Sequence, residues 1–351
     1  MTEEKNIIKK RVDIPAVQPS KTNQPPFSPM LQGPGSNKLS QITTRTTMPS
    51  VDDKTGIATI TDGEHSVFIE RYNELAGGLR ISTHKLLDAC TMALTSRNQY
   101  RGSGAIETSV IIPLKEYVSM LGKPTTKASI DETRKRVKED LETLYSISIE
   151  WKERNGRNVK DYAKMRIVTM QGIRSGNIIV GFSPEFAKYL IGAYLMHYPK
   201  ALLKIDERNP NSYHIGRKLL LHHSIDNNRK KGTANIISVR ALLEECQDIP
   251  GYGEVVNGDR AIERRIKKPF IDALDDIEAL GILTYHFSNS KNAPLSKKQL
   301  DSIKYADFIS LYVYFTVKDF PDQTARQQAN AEKIEKATAK KKASKKEEAT
   351  P

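Results

Sequence analysis

The chain has 351 residues, 38% of them apolar, and a formal net charge of +13. That length supports about two domains of ~100 to 200 residues plus appendages, and the positive field favours polyanions, nucleic acid above all, with an attraction that fades as salt rises. No run of about 18 apolar residues could span a bilayer and none near the start resembles a signal-peptide core, so a cytoplasmic protein is expected; Cys90 and Cys246, the only cysteines, leave no disulfide framework or cysteine-based zinc site.

Residues 1–56 are rich in Pro, Gln, Thr, Ser and Asn and contain too little apolar area to offset chain ordering, so disorder is expected there. Order is expected from about Ile57 and Ile60. A helix opens at Ser82, whose hydroxyl could cap it, with Leu87, Cys90 and Leu94 inward. Pro113 fits the first turn of the next helix and Gly122 its stop. Asn155-Gly156 marks a hairpin, and Ser175 to Asn177 a second one, followed by the alternating strand Ile178, Val180, Phe182. Ser183-Pro184 starts a helix, Asn209 and Pro210 start another, and a strongly alternating strand spans Phe308 to Phe315. Residues 320–351 form a Lys- and Ala-rich tail.

The strongest pattern is an internal echo. Leu114, Tyr117, Val118 and Leu121 stand at i, i+3, i+4 and i+7, and Val239, Leu242, Leu243 and Cys246 repeat that spacing about 125 residues later. A charged helix follows each time, with Val137 and Leu141, then Ile266 and Phe270, four residues apart on the buried side. Alternating strands come next, through Ile147, Ile149 and Trp151, and through Leu283, Tyr285 and Phe287. Helix, turn, helix, strand is the core of a winged helix. The fold class expected is therefore α+β, two tandem winged-helix domains (helix-turn-helix plus β-wing) with disordered termini.

The second charged helix concentrates Arg260, Arg264, Arg265, Lys267 and Lys268 within nine residues, with Asp272, Asp275, Asp276 and Glu278 later on the same segment. A helix-turn-helix inserts its second helix into the major groove, where Arg binds guanine edges and Lys neutralises phosphates; the bland alternative is a solvated surface. Pro269 either kinks this helix or begins it. In the first copy Lys127, Arg134, Lys135, Arg136 and Lys138 are interleaved with acids, which suits internal ion pairs at least as well as base contact. Lys152, Arg154 and Arg157 near the first hairpin tip occupy the place of a DNA-touching wing. No phosphate loop occurs, and adjacent His222 and His223 cannot form the alternate-residue pair of a metal-dependent nickase, so no catalytic residue, metal site or cofactor is expected.

In this order of elements the chain resembles the tandem winged-helix plasmid replication initiators of the iteron-binding Rep class, over roughly Leu79 to Phe315. The resemblance rests on "VIIPLKEYVSMLG" and "RKRVKEDLETLYSISIEW", on "VGFSPEFAKYL", and on "YPKALLKIDERNPNSYHIGRKLLLHH", "IISVRALLEE" and "ERRIKKPFIDALDDIEALGIL". It implies a first domain over 57–183 that serves dimerisation and DNA contact and a second over 184–319 that makes the main DNA contacts. It also implies duplex origin DNA with direct repeats as target, local origin opening, host helicase or initiator proteins as partners, a monomer and homodimer in exchange, and repression of its own gene. The alternatives from other classes are a winged-helix transcription or partition regulator and a nickase or relaxase.

Overall fold

A computed structural model describes residues 27–32, 50–62, 65–70, 72, 80–99, 106–155, 158–191, 194–225, 228, 230–246, 248–255, 259–289 and 293–318. The chain begins with strands β1 (Phe27–Gln32), β2 (Ser50–Asp52), β3 (Ile57–Asp62) and β4 (His65–Ile69). Helix α1 (Ile81–Gln99) precedes β5 (Ser109–Pro113), α2 (Leu114–Met120) and α3 (Lys127–Tyr145). Four strands follow, β6 (Ile147–Asn155), β7 (Asn158–Arg166), β8 (Val168–Arg174) and β9 (Asn177–Phe182), then α4 (Pro184–Ile191), β10 (Tyr194–Pro199) and a 3-10 helix over Lys200–Lys204.

The later part contains α5 (Pro210–Ser224), β11 (Ile236–Ser238), α6 (Val239–Leu243), α7 (Asp259–Ile262), a π turn over Glu263–Lys267 and α8 (Lys268–Ala279). It ends with β12 (Leu283–Ser288), α9 (Lys297–Ser302), α10 (Tyr305–Phe308) and β13 (Tyr312–Val317).

Two three-stranded antiparallel sheets have the same strand order. In one, β5 pairs with β9 and β9 with β8; in the other, β11 pairs with β13 and β13 with β12. In each case the first strand leads into a short helix and then a longer one, so both assemblies read helix, strand, helix, helix, strand, strand. The echo positions face inward: Leu114, Tyr117, Val118, Val137 and Leu141 are buried in the first, and Val239, Leu242, Cys246, Ile266 and Phe270 in the second.

The strand directly after α3 does not belong to the first of these sheets. Strands β6 and β7 extend a separate five-stranded sheet of order β2-β3-β4-β6-β7, with Val67 opposite Ile149 and Ile149 opposite Met165. Alternation identified a half-buried strand at Ile147 and Ile149, but alternation does not say which sheet a strand joins.

Three local readings are corrected. Within the segment expected to be disordered, Phe27–Gln32 pairs antiparallel with β10, Met30 opposite Met196, and Ser50–Asp52 pairs with β3. Met30 and Met196 are fully buried, so a few apolar side chains docked on an existing core suffice where local composition alone does not. Ser82 is inside α1 rather than at its cap, and its hydroxyl donates to Asp140 Oδ1 at 2.8 Å. Asn209 caps α5 in position only, because its amide Nδ2 donates to Asp276 Oδ2 at 2.9 Å. The remainder of 1–56 and the tail from 320 onward lie outside the described residues.

The two assemblies meet along α1 and α5. Arg217 and Asp88 form a buried ion pair there, Nε to Oδ2 3.0 Å, and Tyr213 OH donates to the same carboxylate oxygen at 2.6 Å. His84 and His214 pack edge to face beside them, ring centroids 5.3 Å apart.

Candidate nucleic-acid interface

In the first assembly the turn between α2 and α3 is set by Gly122, at φ +72°, whose N–H donates to Ser119 O while Lys123 N–H donates to Val118 O. This is the left-handed close of a helix that glycine tolerates without a Cβ penalty. Thr126 then caps α3, accepting from Ser129 N–H at 3.4 Å.

All five cations expected along α3, Lys127, Arg134, Lys135, Arg136 and Lys138, are exposed. At 100° per residue Lys127, Arg134 and Lys138 fall within one narrow stripe, and Lys135 flanks it. Arg136 faces away from that stripe and pairs with Glu207 at 3.7 Å, while Arg134 is partly neutralised by Asp131 at 3.0 Å. Among the described residues Lys127, Lys135 and Lys138 have no ion pair, so their charges remain available to a polyanion.

The hairpin that closes this assembly's own sheet is β8–β9, not β6–β7. Its tip, Ser175 and Gly176, has positive φ at both central residues (50° and 76°), the handedness that suits a tight hairpin. Gly176 O accepts from Leu114 N–H at 2.8 Å, which docks the tip beside the start of α2. The exposed cation there is Arg174, which the sequence reading passed over. Lys152 and Arg154 lie on β6 in the five-stranded sheet, which removes them from the expected wing position; their side chains and Arg157 lie outside the described residues.

In the second assembly α7, the π turn and α8 run end to end with helical dihedrals at Ile262, Lys267 and Lys268. Pro269 therefore neither breaks the rod nor marks its true beginning. Proline has no N–H for the i−4 carbonyl, and the wider π turn just before it, with Lys268 N–H reaching Glu263 O, accommodates that lost bond. Arg264 and Arg265 lie on this turn and are exposed, without an ion pair among the described residues. Lys268 is exposed but pairs with Asp272 at 2.9 Å. The side chain of Arg260 lies outside the described residues.

Lys267 is not a phosphate ligand. It is 2% exposed, its ammonium donates to the carbonyls of Leu300, Ile303 and Asp301 at 3.2, 3.2 and 3.4 Å, and it pairs with Glu263 at 2.5 Å. These carbonyls end α9, whose last acceptors have no intrahelical donor, so the lysine fastens α9 to the basic rod. Sequence spacing could not separate Lys267 from its exposed neighbours, because the π turn adds a residue to the helical count.

The acidic end of the same rod is also structural. Asp276 accepts from Ser212 Oγ at 2.8 Å and from Asn209, both at the start of α5, and Asp275 accepts from Tyr285 OH at 2.6 Å. His222 and His223 occupy the last turn of α5, contacting Thr233 O and Asn235 Oδ1. Among the described residues no group of three or more His, Cys, Asp or Glu side chains could hold a metal ion, and no helix is long and apolar enough to cross a membrane.

Residues 70–205 match the sequence model of the family "Initiator Replication protein, WH1". Over that span the chain is similar to a replication-initiator winged-helix domain, and α2, α3 and the β5-β9-β8 sheet lie within the matched residues. The match extends past the Phe182–Glu185 turn to Ile205, taking in α4, β10 and the 3-10 helix. No curated protein matches the chain. Among solved structures, a selenomethionine crystal structure of RctB domains 2 and 3 is similar at 9% identity and TM-score 0.42, covering 79% of this chain and 98% of that one. A second RctB domain 2-3 structure is similar at 9% identity and TM-score 0.41, covering 79% and 94%.

Proposed function

We propose that this protein is an origin-binding replication initiator built from two tandem winged helices, and that it opens origin DNA by binding without chemistry on it. The match of residues 70–205 to the initiator WH1 family carries this reading. What extends it to a second winged helix is the shared strand order of β5-β9-β8 and β11-β13-β12, each with a short helix and then a longer one after its first strand. In this reading the first domain spans 57–183 and the second 184–319.

In this reading the second domain makes the main base contacts through Arg264 and Arg265, with Lys268 and Arg260 toward phosphates. The first adds phosphate contacts through Lys127, Arg134, Lys135 and Lys138 and takes part in dimerisation. Monomers occupy direct repeats, dimers repress the protein's own gene, and binding at adjacent sites bends the duplex and unpairs an A·T-rich neighbour, where host helicase or initiator proteins are recruited in the cytoplasm.

Protection mapping on the DNA flanking the gene tests this. Direct repeats about two helical turns apart support an initiator, and a single inverted repeat supports a winged-helix regulator. Incubation with supercoiled origin DNA and Mg²⁺ separates the enzyme alternative: unpaired thymines without strand cleavage agree with the proposal, and a protein-linked nick overturns it.

A further inference from the structure

A cluster of cations lies away from the basic rod. A cleft of about 540 Å³ opens between the α2–α3 turn and the segment entering α5. Five cationic side chains line it, Lys85, Lys123, Arg136, Lys204 and Arg208, against the two carboxylates of Asp206 and Glu207. They come from α1, the helix-turn-helix turn, α3 and the segment entering α5, so the fold and not a local charge run gathers them.

The floor of this cleft is unusual. Lys85 is 2% exposed, and its ammonium donates to Ile205 O with the Tyr213 ring face at 6.0 Å on another side. An ammonium has three donors and a strong need for a counter-anion when it is buried. Neither contact supplies one, and Asp206 and Glu207 act on it only through space; burial lowers its pKa to about 8 against their attraction. The nearer demand on those carboxylates comes from elsewhere, since Asp206 is held by Arg208 at 2.6 Å and Glu207 by Arg136 at 3.7 Å. The stem of Lys204 packs on the turn, its Cγ at 3.2 Å from where a Gly122 Cβ would be, which points that lysine along the cleft wall.

We propose that this cleft binds a phosphoryl anion of pyrophosphate size. Its volume is that of a small-ligand site, and a compact multivalent oxyanion supplies the counter-charge that Lys85 and Lys204 lack among the described residues, with Lys123, held at 3.8 Å by Glu132, beside them. Bound there, it would touch the first helix-turn-helix turn and the segment entering α5 together, so its binding is linked to the relative placement of the two assemblies. The inference rests on the cleft alone and not on which helix reads DNA.

The test uses the full chain and inorganic pyrophosphate at constant ionic strength, read by calorimetric titration and by thermal shift. Wild type should bind with a shift in Tm. Lys123→Gln with Lys204→Gln should weaken binding at least tenfold, as should Lys123→Gln with Arg208→Gln, while Arg264→Ala with Arg265→Ala should bind as wild type does. Absence of binding to wild type, wild-type affinity in both cleft variants, or loss in the Arg264/Arg265 variant would each overturn the site. A labelled duplex distinguishes the source of the phosphate: displacement by pyrophosphate in wild type but not in the cleft variants assigns the cleft to a backbone phosphate, and undisturbed duplex binding assigns it to a free phosphorylated solute.

Discussion

Arg217 on α5 and Asp88 on α1 join the two halves of the molecule through an ion pair whose side chains are only 9% and 4% exposed. Tyr213 OH completes the coordination of the carboxylate, and Tyr198 OH donates in turn to Tyr213 OH at 3.3 Å. Breaking such a pair from one side leaves an uncompensated buried charge. Asp88→Ala should therefore destabilise by about 3–5 kcal/mol, whereas replacing both partners, Asp88→Leu with Arg217→Met, should recover most of that loss. Urea unfolding of the single and double variants checks this, and a cost below about 1 kcal/mol for the single variant would show that water reaches the pair.

The N-terminal strand β1 is the only covering on the β10 edge among the described residues. Met30 is fully buried between β10 and α1 neighbours, so Met30→Ala should cost about 2–5 kcal/mol, the range for emptying a packed core position. Truncation through residue 33 should lower Tm at least as much. Unchanged melting after that truncation would mean that the pairing of β1 with β10 adds nothing to stability.

These cases mark what the sequence made legible. Spacing alone located the buried faces of α2 and α6, because burial of Leu114, Tyr117, Val118, Val239 and Leu242 follows from a period that a helix imposes. It could not assign β6 to the separate sheet, since sheet membership is decided by partners distant in sequence such as Val67. It missed β1 because six residues contribute too little local pattern to be seen against a Pro- and Ser-rich background. At the site, Arg264 and Arg265 were legible as exposed cations, while Lys267 was misread: its role is decided by carbonyls more than 30 residues away.

Acid sensitivity should follow from the histidines packed between α1 and α5. Burial, helped by the Arg217 cation, lowers the pKa of His84 to about 3, and burial, His84 and Arg217 hold His214 well below the ordinary 6.5. The unfolded chain takes up these protons first, so the stability contributed by the neutral rings is intact above about pH 6.5 and is lost progressively as pH falls toward 3. Asp140 works in the opposite sense. Burial raises its pKa to about 6 despite hydrogen bonds from Thr83 and Ser82, so the folded state gains its proton first between about 6 and 3.8 and this group favours folding as pH falls through that interval. Neither ring nitrogen of His214 has a hydrogen-bond partner among the described residues. His214→Phe should thus keep or raise Tm at pH 7 and flatten its fall below pH 6, while Asp140→Asn should steepen that fall. Melting curves from pH 7.5 to 4.5 decide, and a His214→Phe variant with wild-type acid sensitivity would assign the effect elsewhere.

The basic rod holds exposed and buried cations within four residues, Arg264 and Arg265 exposed and Lys267 buried. Arg264→Ala or Arg265→Ala removes an exposed guanidinium, so either change should leave unfolding free energy within about 0.5 kcal/mol of wild type. If these residues read base edges as proposed, each should also weaken specific duplex binding by about 1–3 kcal/mol and relax preference at one position of the site. Lys268→Ala should weaken specific and nonspecific duplexes alike and flatten the salt slope slightly, since its partner Asp272 already offsets part of its charge. Lys267→Ala should behave differently from all three. It strands the carbonyls that end α9 and leaves Glu263 unpaired, so the loss should appear as about 1–3 kcal/mol of stability. Duplex affinity of its folded fraction, measured at low temperature over a salt series, should keep the wild-type slope. A reduced salt slope for Lys267→Ala, with stability intact, would return that lysine to the DNA surface and overturn the assignment of the π turn as the boundary between the two roles.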